Sequence, residues 1–275
     1  MVPRYYSSLG MDSIFFGGEF MQEAIDEFLE YTSSFFTLLN DSYDIYNINL
    51  KINHTFRVMD LCGEIAESLN LTKEDITLAK LCGLLHDIGR FEQWNRYKTF
   101  VDSKSVDHGD FGAKLLKEKN FIRRFNNDEK TDDLIIKVVK NHNKYEVEDD
   151  LTEREKLFTN IVRDADKTDI LYLYTINDIS IDVGSDSFSD SVLDCLKNHK
   201  LIDRRLKKTK ADTLSVSLAF VFDINYKKTF EILRDRSYLD KEIDIYINKT
   251  TNQKLKEQLN ELRSIINNYI DRRCL

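Results

Sequence analysis

Proline and glycine are nearly missing from this chain. Of its 275 residues one is proline, Pro3, and nine are glycine, too few turn residues for a β-sandwich or barrel. Cysteine is scarce and unpaired in sequence. The four present (Cys62, Cys82, Cys195 and Cys274) form no close pair, and Cys62 and Cys82 fall on apolar helical faces, which predicts reduced packing residues. Positive charge is not in excess: the formal net charge is -8, so composition gives no general electrostatic case for nucleic-acid or membrane binding. No run is long enough to span a bilayer. The residues before Gly18 include Phe15-Phe16 but no apolar stretch of signal-peptide length, so the expected location is cytoplasmic.

What the chain does have is helical periodicity. Apolar residues recur at three- and four-residue spacing over 19–39, 48–69, 72–88, 105–115, 132–142, 152–176 and 251–271, which predicts an all-α protein. Thr72 and Asp75 form a capping-box-like start, and Gly89 is the expected C-terminal cap of the helix that it follows. Residues 90–106, rich in aromatic and basic side chains, read as a loop that serves as a lid or plugs its rings onto the core. Residues 179–190 read as a second loop. The basic run 203–210 reads as a solvated surface. Residues 214–222 alternate like a strand but have no evident partner strand, which favours a helix. The organisation expected is one helical domain over 1–275, with a core over about 45–175 and a helical extension over about 188–275.

Histidine carries the chemistry. Of five histidines, His54, His86, His108 and His142 fall on inward stripes of separate predicted helices, and Asp87 and Asp166 join them. Placing that many costly polar groups on apolar faces calls for a partner that satisfies them together. Imidazole and carboxylate are ligands for first-row transition metals. Six ligands exceed what one catalytic ion with an open position needs, and they suit two ions bridged by a carboxylate. His199 lies among Lys197, Asn198 and Lys200 and reads as a surface residue.

The order His54 … His86-Asp87 … Asp166 resembles the signature of the HD superfamily of metal-dependent phosphohydrolases. Its setting in His-Asp-Ile-Gly-Arg, Asp-His-Gly-Asp-Phe-Gly, Lys-Asn-His-Asn and Arg-Asp-Ala-Asp-Lys-Thr-Asp looks like a bacterial branch of it. The resemblance implies an all-helical HD-domain bundle with additional C-terminal helices. It also implies one metal held by His54, His86, Asp87 and Asp166, with Asp87 bridging to a second held by His108 and His142. One departure limits it. The Gly-Tyr-Pro motif of the superfamily's cyclic-di-GMP hydrolases is replaced after Asp166 by Lys167-Thr168-Asp169, so that activity is not implied.

The expected activity is a phosphomonoesterase or phosphodiesterase that uses two ions of Mn, Fe, Co, Ni or Zn and a metal-bridging hydroxide. Its expected substrate is a small phosphorylated molecule, with nucleotides among the candidates. Asp87 is the catalytic carboxylate and Arg90 the phosphate clamp, since a guanidinium bonds two oxygens at once. Lys144 is a second substrate-binding candidate. Lys167 is a further catalytic candidate, or else pairs with Asp166 or Asp169. Some HD-fold proteins with a similar ligand set are mixed-valent di-iron oxygenases, and others are non-catalytic nucleotide-binding modules. Ligand order alone does not separate these from a hydrolase.

Overall fold

The structure, a computed structural model, describes residues 18–36, 41–176 and 178–275. The end of the first expected helix, 37–39, and Asn40 lie outside them. Among the described residues there are α-helices and short 3-10 turns and no strand. They divide into two compact units, one ending at Ala165 and the other beginning at Asp166.

The first unit holds α1 (Gly18–Phe36), α2 (Ser42–Ser68), α3 (Lys73–Leu85), α4 (Ile88–Tyr97), α5 (His108–Lys117), α6 (Asp132–Asn141) and the first half of α7 (Glu153–Thr175). Side-chain caps set several of these starts. Asp41 accepts from the Tyr43 amide, Thr72 from that of Asp75 and Asp107 from that of Asp110, each satisfying an amide that the first turn would leave unpaired. Helix α2 packs along α3, α5 packs on both α4 and α6, and α1 covers α2, α3 and α4. Under α1 the Phe28 ring meets Phe56 and Phe91 edge-on, with centroids 5.6 and 5.5 Å away, the arrangement that aromatic quadrupoles prefer.

Residues 90–106 differ from the expected loop. Most of the first half is α4, because Ile88, Phe91 and Trp94 recur at helical spacing and are buried. Gly89 therefore caps nothing and is the second residue of α4. Its lack of a side chain serves packing instead: a Cβ there would lie 2.7 Å from the His108 carbonyl oxygen and 2.8 Å from the Gly112 amide nitrogen. The backbones of α4 and α5 meet at that point.

In the second unit α7 continues from Asp166, followed by α8 (Asp190–Lys197), α9 (Asp212–Leu218), α10 (Lys227–Arg236), α11 (Tyr238–Lys249) and α12 (Gln253–Cys274). The extension expected over about 188–275 lies within it. The strand-like segment 214–222 forms α9 and a 3-10 turn, with Leu214, Leu218 and Val221 fully buried. Helix α12 packs against α8, α10 and α11, and its Leu255, Leu259, Leu262 and Ile266 are part of this unit's own core.

That core contains an acid. Glu242 is wholly buried, its Oε1 lies 2.6 Å from the Ser217 hydroxyl, and its Oε2 has no hydrogen-bond partner among the described residues. The single proton of Ser217 has two acceptors within reach, since the Leu214 carbonyl is 2.9 Å away. A protonated Glu242 resolves the conflict by donating to the Ser217 oxygen. Burial pushes its pKa up to about 8, against which the Ser217 hydrogen bond acts only weakly. An acid with a folded pKa above its unfolded value favours the fold at low pH. Stability should therefore fall as pH rises from about 4.5 to about 8, by up to about 1.4 kcal/mol per pH unit, and then level off. Denaturant unfolding at a series of pH values should show that slope in the native chain and lose it in Glu242→Gln.

Candidate metal centre

Four imidazoles and one carboxylate meet inside the first unit. His54, His86, Asp87, His108 and His142 are all buried, none more than 5 % exposed. His54 projects from the middle of α2. His86 and Asp87 occupy the turn between α3 and α4, where His86 follows the last residue of α3 and Asp87 precedes the first of α4. The dyad thus sits in a helix–helix junction rather than on the continuous helix that its spacing suggested. His108 is the first residue of α5 and His142 the residue after α6.

The same device orients two of the rings. His86 Nδ1 lies 2.7 Å from the Gly83 carbonyl oxygen and His142 Nδ1 lies 2.7 Å from that of Val139. Each ring thereby donates to a carbonyl that the end of its helix leaves free, which directs Nε2 inward. His108 is oriented by a carboxylate: its Nδ1 donates to Asp102 Oδ2 at 2.7 Å. Asp102 also accepts from Arg90 at 2.9 Å and from Gln93 at 3.0 Å. Burial alone would raise the Asp102 carboxyl, but His108, Arg90 and Gln93 hold it well below the usual carboxylate range.

The Nε2 atoms face one another in pairs. His54 and His86 approach to 3.3 Å and His108 and His142 to 3.1 Å. In the second pair both Nδ1 atoms are committed as donors, so in neutral rings two bare lone pairs point at each other inside the protein. A cation between them removes the conflict. Burial, followed by the Arg90 charge, brings the His108 pKa down to about 4, so that ring does not itself carry a second proton near neutrality. Two nitrogens bound side by side to one metal at about 2.1 Å stand roughly 2.9–3.4 Å apart, and both pairs fall in that range. The donor set therefore fits a divalent transition metal, for which imidazole and carboxylate are suitable ligands.

Asp87 lies between the pairs. Its Oδ2 is 3.6 Å from His54 Nε2 and 3.5 Å from His86 Nε2, while its Oδ1 is 3.4 Å from His108 Nε2 and 3.7 Å from His142 Nε2. Two metal-competent groups result, His54/His86/Asp87 and Asp87/His108/His142, each with its ligand atoms within 4.8 Å of one another. Burial alone would raise the Asp87 carboxyl, but Lys51, followed by His86, His142 and Arg90, holds it well below its ordinary value.

The other expected site residues have specific places. Arg90 Nη1 donates to the Phe100 carbonyl, Gln93 and Asp102 at 2.6–2.9 Å, and its Nε lies 3.5 Å from Asp87 Oδ1. Lys144 ion-pairs with Asp107 and Asp110, 2.9 Å from each, which ties the end of α6 to the start of the His108 helix. Asp166 is the first residue of the second unit. Lys167, in the same unit, pairs with Asp223 at 2.8 Å. His199 is exposed and packs beside Phe222 and Tyr269 in the second unit.

Sequence reasoning missed several supports. Lys51 donates to Asp87 Oδ2 at 2.7 Å, and its position one helical turn before His54 was the available signal. Asp102, six residues before His108, carried no periodic signal. Buried Arg163 donates to the carbonyls of Asn141, His142 and Lys144, so a guanidinium on α7 closes the end of α6 that carries His142. If Asp102 fixes the His108 ring and raises its basicity, Asp102→Asn should weaken divalent-metal binding about 10–100-fold. Metal titration beside circular dichroism would check that the helices survive while the affinity drops.

The HD domain profile matches residues 52–171, a span that contains every ligand named above. A segment of 79 residues, 28% of this chain, is 44% identical to the CRISPR system single-strand-specific deoxyribonuclease Cas10/Csm1 (subtype III-A) of Methanocaldococcus jannaschii. The aligned segment covers 9% of that relative, so the likeness concerns a small part of a much longer protein. No solved structure matches the chain. With its helical core, its His-Asp junction at 86–87 and the profile match, residues 52–171 carry an HD domain.

Proposed function

We propose that this protein is a metal-dependent phosphohydrolase with a dinuclear centre, in which Asp87 would bridge one ion held by His54 and His86 and another held by His108 and His142. The observation that carries this reading is the division of the Asp87 carboxylate, with Oδ2 toward one imidazole pair and Oδ1 toward the other. Two divalent ions bound there supply Lewis acidity toward phosphate oxygens and lower the pKa of water between them. The chain's own part is to keep His86, His142 and His108 in one tautomer and aimed at fixed points, through the Gly83 and Val139 carbonyls and through Asp102. Arg90 is the anchor of Asp102 in this reading, and its remaining donors are its means of acting on phosphate.

The substrate is a phosphate ester. A single-stranded DNA substrate is favoured by one finding, the 79-residue likeness to a single-strand-specific deoxyribonuclease, whereas the net charge of -8 favours a small phosphorylated molecule over a long polyanion. Metal-stripped protein reloaded with Mn, Fe, Co, Ni or Zn separates these. Each form would be assayed for phosphate release from nucleotides, cleavage of single- and double-stranded DNA, and oxygen uptake. The expected result is two bound ions per chain with hydrolysis of a phosphate ester, both abolished in Asp87→Ala while the helical circular dichroism persists. At most one ion under metal-replete conditions would defeat the dinuclear centre. Iron-dependent oxygen consumption without hydrolysis would defeat the phosphohydrolase.

A further inference from the structure

Three cations surround the carboxylates of this centre, and they are not held alike. Arg90 Nη1 has three acceptors and Lys144 has two carboxylates. Lys51 has one acceptor among the described residues, Asp87 Oδ2 at 2.7 Å. That is the same oxygen that faces His54 and His86. An ammonium and a metal ion would therefore compete for one lone-pair region, and two cations that close repel strongly where water is excluded.

Lys51 has a way out. Its side chain is 15 % exposed, and its Nζ stands 5.6 Å from the centre of the Phe100 ring. Phe100 is itself backed by the buried Trp94 ring, with centroids 4.7 Å apart. A lysine swings a point charge on a flexible stem without moving its helix, and the aromatic face offers that charge a partly favourable place beside the site. Helix α2 keeps its base one turn from His54, so a released ammonium stays next to the metal-competent group.

We propose that Lys51 is a second phosphate-binding residue of this centre beside Arg90, held on Asp87 until a metal ion takes Oδ2 and then turned toward a non-bridging oxygen of the substrate phosphate. The proposal rests on the metallohydrolase reading above and adds to it a substrate ligand coupled to metal loading. The ammonium closes a metal-free site by neutralising its carboxylate, and it is available to an anion only after a metal has arrived.

The test begins with the native chain. Amine labelling quantified at Lys51 by mass spectrometry, with and without Mn2+ and inorganic phosphate, reads whether the ammonium leaves the carboxylate. Labelling should rise several-fold on Mn2+ loading and fall again when phosphate is added. In Lys51→Met the competing cation is gone, so Mn2+ should bind roughly tenfold tighter. Phosphate, titrated calorimetrically into the Mn2+-loaded variant, should bind at least about tenfold more weakly. Lys51→Arg should recover most of the phosphate affinity. Native protein that binds Mn2+ with Lys51 labelling unchanged would overturn the proposal, as would Lys51→Met with unaltered Mn2+ and phosphate affinities. Native protein that binds no divalent metal would overturn the metallohydrolase reading itself, and the calorimetry distinguishes that failure from the other two.

Discussion

One ionised carboxylate, buried between four imidazoles, sets the terms for the rest of the first unit. Asp87 is 2 % exposed, and a lone charge at that depth would be intolerable. Its tolerance is distributed: Lys51 on one oxygen, Arg90 near the other, imidazole nitrogens around both. Every one of those groups then needs its own support. Arg90 and His108 share Asp102, His86 and His142 use the carbonyls at their helix ends, and Arg163 closes the turn after α6. The helices are arranged so that three chain junctions and one helix face, that of His54 on α2, present the polar atoms.

This explains what could be read from the sequence. The helix starts at Thr72 and near Asp132 followed from local capping and periodicity, and the structure places them within a residue. The clustering of His54, His86, His108 and His142 was visible because the chain has only five histidines and these four fall at apolar positions. The supports were not visible. Asp102 and Arg163 act on residues that they meet only through tertiary contact, and nothing local distinguishes them from surface charges. Gly89 illustrates the opposite error: a glycine after an apolar stretch resembles a cap, yet here it marks a close approach of two backbones. Local rules identify glycine as special without saying which of its properties is in use.

The two units differ in what their buried charge does. In the first, each buried ionisable group of the centre has partners of opposite sign. In the second, Glu242 is buried with a hydroxyl and one unpartnered oxygen, a condition met by keeping its proton. Acidification therefore acts on them in opposite senses, favouring the core around Glu242 while protonating the imidazoles that would bind metal.

The chain has one tryptophan, and its position gives the protein an optical reporter of its own. Trp94 is buried in α4, donates its indole N–H to Asp44 at 2.9 Å and stacks against Phe100. The Phe100 carbonyl in turn accepts from Arg90, and Asp102 follows two residues later. Its fluorescence is therefore a local signal from the segment that orients His108, undiluted by emission from any other indole. Events at the metal centre can be followed in unlabelled protein through the brightness and colour of a single residue.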